Sequence, residues 1–154
     1  MRAPIWKYAL LVRAQDVLLA IPIEHVVETM RPLDLKTINR PPQFVLGVSI
    51  IRGVPVPVVS AARLMGQEAS QCAARFVTLR IRDRVVALAV TEVKGLVRLD
   101  DFKFQELPPL LQGANQEAVA GLCALDSSLL LVLQASRILS ETVLQELSRL
   151  EIST

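Results

Sequence analysis

Residues 42–59 read PQFVLGVSIIRGVPVPVV. Apolar and β-branched residues fill two runs, 44–51 and 54–59, with Arg52 and Gly53 between them. Two such runs around a short glycine-containing break are typical of a β-hairpin, and Gly53 can supply the positive φ that the turn needs. The stretch therefore predicts two antiparallel strands joined by a tight turn at Arg52-Gly53.

The second strand of this hairpin contains Pro55 and Pro57. Proline has no N–H group, so two prolines at alternate positions remove donors from the same side of the strand. This pattern predicts an edge strand. Two interpretations stay open: the prolines prevent edge-to-edge aggregation, or they keep an apolar edge available for a partner.

Three further hairpins are predicted outward from this stretch, from the strand pairs 8–13 with 17–21, 75–81 with 85–90, and 120–125 with 129–133. Residues 23–30 predict a helical turn followed by a strand. Residues 60–65 predict a short helix that Ser60 caps and Gly66 stops. Residues 107–115 predict a loop, and Ser140 is the expected start of a C-terminal helix. The predicted fold class is mainly β with short helices.

The chain also repeats itself. Asp16 and the apolar run after it align with Asp83 and its run, 67 positions later, while Gly47-Val48 aligns with Gly121-Leu122, 74 positions later. Each unit contains a hairpin, a link, a second hairpin and a short helix. Units of this size without long helices predict two similar small barrels.

Composition restricts the classes of protein. Hydrophobic residues make up 52% of the chain, aromatic residues 4%, and the net charge is +2. No run of about 18 uncharged apolar residues exists, so we expect no membrane insertion. Charged residues interrupt the apolar N-terminal stretch, which therefore does not resemble a signal peptide. A cytoplasmic protein is predicted.

No constellation of residues predicts catalysis or metal binding. His25 is the only histidine and has no nucleophile at a diagnostic spacing. Cys72 and Cys123 are interpreted as free thiols. Together with His25 they give three possible ligands, which is too few for a typical zinc site. No glycine-rich phosphate loop is present. We therefore predict no catalytic residues, no metal and no cofactor.

Arg80, Arg82 and Arg84 alternate along the sequence, so they would share one face of a continuous strand. Such a ridge could bind an acidic partner or nucleic acid, or it could be an ordinary solvated strand face. The low number of aromatic residues argues against base stacking.

The stretch 42–59 resembles the signature of the CheW family, which runs P-x-x-V-x-G-V-x-N-L-R-G-x-x-x-P-V-x-D-L. The resemblance continues on both sides and covers roughly residues 5–140. The other segments that match in order are 8–13, Ile21-Pro22-Ile23, Val26-Val27-Glu28, 85–90 and Val93-Lys94-Gly95.

The resemblance implies one CheW-like domain over residues 1–154, built from two interlocked five-stranded barrels of SH3-like or OB-like form. It implies a non-enzymatic adaptor that links a methyl-accepting chemoreceptor to a CheA-type histidine kinase. The family's partner-binding positions fall on Val26, Glu28, Gly47 and Arg52. The alternative is an OB-like or SH3-like nucleic-acid-binding module, and a small hydrolase in a barrel is the third class.

Three residues depart from the family's pattern. Ile50 stands where the family has Asn, Ser60 where it has Asp, and Ala62 where it often has Arg. Serine caps helices about as well as aspartate, so the change at position 60 should leave the short helix intact.

Overall fold

The computed structural model describes residues 7–39, 43–68, 73–81 and 83–99, together with the backbone of 119–125 and 128–133. These described residues form ten strands, one 3-10 turn (Ile23–His25) and one short helix, α1 (Ala61–Leu64). The strands are β1 Tyr8–Ala14, β2 Val17–Pro22, β3 Val26–Met30, β4 Val45–Ile51, β5 Val54–Ser60, β6 Arg75–Ile81, β7 Arg84–Val90, β8 Glu92–Arg98, β9 Val119–Leu125 and β10 Ser128–Leu133.

All four predicted hairpins are confirmed. The short helix is confirmed too: the Ser60 hydroxyl accepts a hydrogen bond from the Arg63 N–H at 3.2 Å, and Gly66 has a φ of +82°. The predicted loop at 107–115 and the helix expected from Ser140 lie outside the described residues.

The strands form two five-stranded sheets, as the resemblance implied. The first has the order β8-β1-β2-β10-β9 and the second the order β3-β6-β7-β5-β4. Neighbouring strands are antiparallel except for one parallel pair in each sheet, β2 with β10 and β5 with β7. The chain thus begins in the first sheet, builds the second completely, and then returns to the first.

The sheet order confirms the internal repeat. Strands β1 and β2 occupy the places in the first sheet that β6 and β7 occupy in the second, and β8, β9 and β10 correspond in the same way to β3, β4 and β5. The first hairpin of each repeat therefore completes the sheet that contains the last three strands of the other repeat. The two repeats exchange hairpins, so each sheet contains strands from both repeats.

Strand registers follow the same two offsets. The parallel pair Ala87 and Val58 in the second sheet corresponds to Ala20 and Val132 in the first. Even the irregularities correspond, because β3 against β6 and β8 against β1 each contain one extra residue at the same place. The register pairs around these bulges are Val26 with Leu79, Glu28 with Thr78, Val93 with Val12 and Gly95 with Leu11.

The prediction that 54–59 is an edge strand is wrong. Strand β5 lies between β4 and β7. Its parallel pairing with β7 begins at Val58, beyond the two prolines, whereas Pro55 and Pro57 pair with Ile50 and Val48 of β4. The missing N–H groups therefore fall in the part of β5 that the parallel ladder does not reach.

Strand β8 was not predicted as an element, because Glu92, Lys94 and the central Gly95 weaken its β pattern. The internal repeat could have predicted this strand, since Val93 aligns with Val26 at the start of β3. Its side chains alternate between exposed and half-buried, as on an edge strand with one covered face.

Among the residues whose side chains the structure describes, two core clusters are present. One cluster uses all five strands of the second sheet and contains Phe76, Val56 and Val58, with Met30 packed against it. The larger cluster joins the two sheets: Val12, Leu19 and Ile21 of the first meet Leu79 and Leu88 of the second. Ala61 and Leu64 of α1 belong to this shared cluster, so the short helix helps to fix the second sheet against the first.

Candidate partner-binding site

The turn between β4 and β5 has an unusual backbone. Ile51 pairs with Val54, and the two residues between them both have positive φ values, +53° at Arg52 and +77° at Gly53. Positive φ at both central residues is the type I′ turn that matches the twist of a hairpin. The prediction for Gly53 is confirmed, whereas the left-handed conformation of Arg52 was not predicted, because arginine avoids that region.

Arg52 forms an ion pair with Glu28. Its Nη2 donates a hydrogen bond to Oε2 of Glu28 at 2.7 Å, with 78% of the Arg52 side chain and 29% of the Glu28 side chain exposed. The hydrogen bond, followed by the negative charge of Glu28, raises the pKa of Arg52. A raised pKa keeps the guanidinium charged at every pH below its ordinary value, so deprotonation of Arg52 cannot switch the pair at physiological pH.

This contact requires the second sheet to curl. Glu28 belongs to β3, at one end of the strand order, and Arg52 follows β4, at the other end. The link after β3 connects the two edges: Lys36 and Val48 exchange backbone hydrogen bonds of 2.7 and 2.9 Å, and the Ser49 hydroxyl donates to the Asp34 carbonyl at 2.9 Å. The link thus covers the outer edge of β4 and brings Glu28 near the β4–β5 turn.

Gly47 lies where this link crosses β4. It follows a bulge in which Leu46 is the extra residue, and its φ is +155°. A Cβ atom at this position would lie 2.7 Å from the Lys36 carbonyl oxygen, which is closer than a carbon and an oxygen tolerate. The close backbone approach explains a glycine at this position, and a contact between Gly47 and a partner stays a prediction.

Val26 and Glu28 lie on either side of the bulge in β3. Val26 is half-buried and packs against the cluster shared by the two sheets. The hydroxyl of Thr78, a residue that no sequence pattern indicated, forms hydrogen bonds with the backbone of Glu28. Of the four predicted positions, the structure therefore brings Glu28 and Arg52 into direct contact, while Val26 and Gly47 support the strands around them.

Exposed apolar side chains lie on the β4–β5 hairpin and on the link that follows β3. Ile50 and Val54, on either side of the β4–β5 turn, are 41% and 56% exposed, and Leu33 and Leu35 on the link are also exposed. Leu33 and Leu35 were missed because they lie in a segment without strand periodicity. Arginine is enriched at protein interfaces, and exposed apolar side chains grouped in a patch mark interaction sites.

The arginine ridge that a continuous strand would have formed is not present, because the strand does not run through these residues. Strand β6 ends at Ile81, and Arg84 begins β7 directly opposite Ile81. Directly opposed residues share a face of a sheet, so Arg84 lies on the face of Ile81 and not on that of its neighbour Arg80. Arg82 lies outside the described residues.

The other candidates for chemistry form no site in the described part of the chain. His25 is half-buried at the end of the 3-10 turn, while Cys72 and the side chain of Cys123 are not described. The described residues contain no group of three or more His, Cys, Asp or Glu side chains that could hold a metal ion. Neither described helix has the length and apolar character needed to cross a membrane.

Known proteins resemble this chain in sequence and in fold. The CheW-like domain family matches residues 8–143. The probable chemotaxis protein CheW of Rhizobium etli is 26% identical over 103 residues, which cover 66% of each chain. The chemotaxis protein CheW of Helicobacter pylori is 23% identical over 124 residues, covering 79% of this chain and 74% of that protein.

The chain spans just under two thirds of the length of the Rhizobium etli relative and 61% of the chemotaxis protein CheW of Rhizobium meliloti. The crystal structure of the scaffolding protein TtCheW from Thermoanaerobacter tengcongensis superposes with a TM-score of 0.71 at 19% identity, covering 84% of this chain and 90% of that one. At this identity, the superposition shows a common fold. Because the family matches most of its length, the chain belongs to the CheW-like domain family.

Proposed function

We propose that this protein is a non-enzymatic, cytoplasmic chemosensory adaptor that couples a methyl-accepting chemoreceptor to a CheA-type histidine kinase. The relatives named chemotaxis protein CheW and the scaffolding protein with the same fold support this proposal. We further propose that residues 1–154 act as one domain, which the core cluster shared by the two sheets supports.

The observation that carries the proposal is the placement of Arg52. A left-handed arginine is disfavoured by local energetics, and an ion pair this exposed contributes little to folding. Arg52 is therefore unfavourable in its own turn and adds little stability. A binding role at the surface best explains why an arginine occupies this position. Its guanidinium retains several donors that the bond to Glu28 leaves available to a partner.

The surroundings of Arg52 suit binding to another protein. Arginine combines a fork of donors with a planar face, and it is enriched among the residues that dominate interface energetics. Ile50 and Val54 would exclude water around the guanidinium, which strengthens its hydrogen bonds to a partner. Because the turn is a tight two-residue one, these groups would be largely preorganised before binding.

An adaptor also needs a second surface, since it joins two partners. The two sheets supply distinct outer surfaces on one shared core, and simultaneous binding at both raises the effective concentration of receptor and kinase for each other. The nucleic-acid alternative depended on an arginine ridge that the register of β6 and β7 does not form.

A reconstituted kinase assay tests this function. Receptor-containing membranes and the CheA-type kinase from the same genome are assayed for kinase autophosphorylation with and without the adaptor. We expect the wild-type chain to make kinase activity depend on the receptor, and Arg52→Asp to reduce this effect strongly. Arg75→Asp is the matched control, because Arg75 is an exposed arginine whose guanidinium donates to the adjacent Ala74 carbonyl. Equal kinase activity with and without the wild-type chain would contradict the proposal.

A further inference from the structure

The buried hydroxyl of Thr78 binds both backbone polar groups of Glu28. Its Oγ1 accepts a hydrogen bond from the Glu28 N–H at 3.1 Å and donates one to the Glu28 carbonyl at 3.2 Å. Thr78 is 1% exposed and lies directly opposite Glu28 in the register of β3 and β6. One side chain thus bonds to both backbone polar groups of the residue opposite it.

These hydrogen bonds lie at the bulge of β3, where Val27 is the extra residue. A bulge leaves its extra residue unpaired and disrupts the ladder locally. A shift of register by one residue would move a side chain to the other face of the sheet. In the observed register Glu28, and not Val27, lies opposite Thr78 and bonds to its hydroxyl. In that register the Glu28 carboxylate reaches Arg52.

The first sheet provides an internal comparison. It has the same bulge between β8 and β1, but Leu11 stands at the place of Thr78 and Gly95 at the place of Glu28. Asp126 stands at the place of Arg52 by the offset of 74 residues. The bulge therefore forms without a threonine, and the hydroxyl occurs in the repeat that also has the glutamate and the arginine.

We infer that Thr78 is a positioning residue of the partner-binding site, which orients the Glu28 carboxylate toward Arg52 through the backbone of the β3 bulge. This role rests on the proposed function, because it concerns the same site. In this role Thr78 is a buried residue, remote from the surface, on which the geometry of the exposed Glu28–Arg52 ion pair depends.

NMR of the free protein tests the positioning without a partner. An arginine held by a carboxylate rotates slowly about its guanidinium bonds, so the Nη signals of Arg52 should be resolved in the wild type. We expect Thr78→Val and Glu28→Gln to lose this signature, and Thr78→Ser, which restores a hydroxyl, to retain it. If Thr78→Val does not fold, Thr78→Ala is measured in its place. A folded Thr78→Val or Thr78→Ala protein with wild-type Arg52 signals would overturn the inference.

Binding to the CheA-type kinase supplies the second readout. We expect Thr78→Val to weaken binding by about fivefold or more and Thr78→Ser by less than about twofold. In a Glu28→Gln background, Thr78→Val should have no further effect, whereas a purely structural role would give additive losses. Additive losses would overturn the inference. If Glu28→Gln and Arg52→Asp bind as the wild type while Thr78→Val still releases Arg52, the proposed binding site is wrong and the positioning role of Thr78 stands.

Discussion

The guanidinium of Arg52 lies 2.7 Å from the carboxylate of Glu28, although the two residues belong to opposite ends of the strand order of their sheet. The sheet must curl for this contact to form, and the backbone pairing of Lys36 with Val48 holds the curl in place. The ion pair is therefore the result of the closed sheet and not one of its causes. This order of dependence separates variants that affect binding from variants that affect folding.

Replacing Arg52 by asparagine should leave folding intact. Asparagine tolerates the left-handed conformation that the turn imposes at this position, where φ is +53°. We expect Arg52→Asn to have an unchanged Tm or one higher by about 2–4 °C, because the strain in the turn is relieved. Thermal unfolding followed by circular dichroism measures this, and a Tm lower by more than about 4 °C would contradict it.

Exchanging the two charges should separate the ion pair from the binding function. In Glu28→Arg with Arg52→Glu, an ion pair can still form across the same segments, so we expect a Tm close to that of the wild type. The positive charge at the tip of the hairpin is lost, however, and kinase binding should not recover relative to Arg52→Asp. Recovery of wild-type affinity in the double variant would show that the pair matters and its orientation does not.

A methyl group at Gly47 should destabilise the second sheet. The added Cβ would lie 2.7 Å from the Lys36 carbonyl oxygen, and only movement of the link can relieve the clash. We expect Gly47→Ala to lower the free energy of unfolding by about 1–3 kcal/mol. Gly66→Ala is the comparison, since its Cβ would have no neighbour within 4 Å and the cost there is backbone strain alone. Urea unfolding measures the stability of both variants. A smaller loss of stability in Gly47→Ala than in Gly66→Ala would contradict this account.

The cap of α1 gives a prediction about the departure at position 60. The Ser60 hydroxyl accepts a hydrogen bond from the Arg63 N–H, and Ser60 is buried. We expect Ser60→Ala to cost about 1 kcal/mol of unfolding free energy, and Ser60→Asp to retain the cap. Equal stability of Ser60→Ala and the wild type in urea unfolding would show that the cap contributes nothing to a helix this short.

Local features of this fold were predictable from the residues themselves, whereas the long-range arrangement was implied only by the resemblance to a known family. The hairpin turns and the cap at Ser60 depend on residues within a few positions of each other, so their patterns are visible directly. The exchange of hairpins between the repeats depends on which strands meet across the chain. The offsets of 67 and 74 residues implied two similar units but did not show that each completes the other.

The same distinction applies to the site. The resemblance implied that Glu28 and Arg52 are partner-binding positions. It did not predict their contact, which depends on closure of the sheet by the link at Lys36. Thr78 could not be predicted as a site residue, because threonine is common in strands. Its proposed role depends on its position opposite the bulge of β3. The prolines of β5 wrongly suggested an edge strand. They show that part of one side of the strand lacks N–H donors, but they do not show that pairing with β7 begins beyond them.

The most direct test of the central claim is a calorimetric titration of the chain with the CheA-type kinase encoded in the same genome, using the wild type, Arg52→Asp and Arg75→Asp. We predict saturable binding for the wild type and Arg75→Asp, and binding weaker by more than about fivefold for a folded Arg52→Asp. Equal affinities for all three proteins, or no binding by the folded wild type, would contradict the claim that the β4–β5 hairpin binds the kinase.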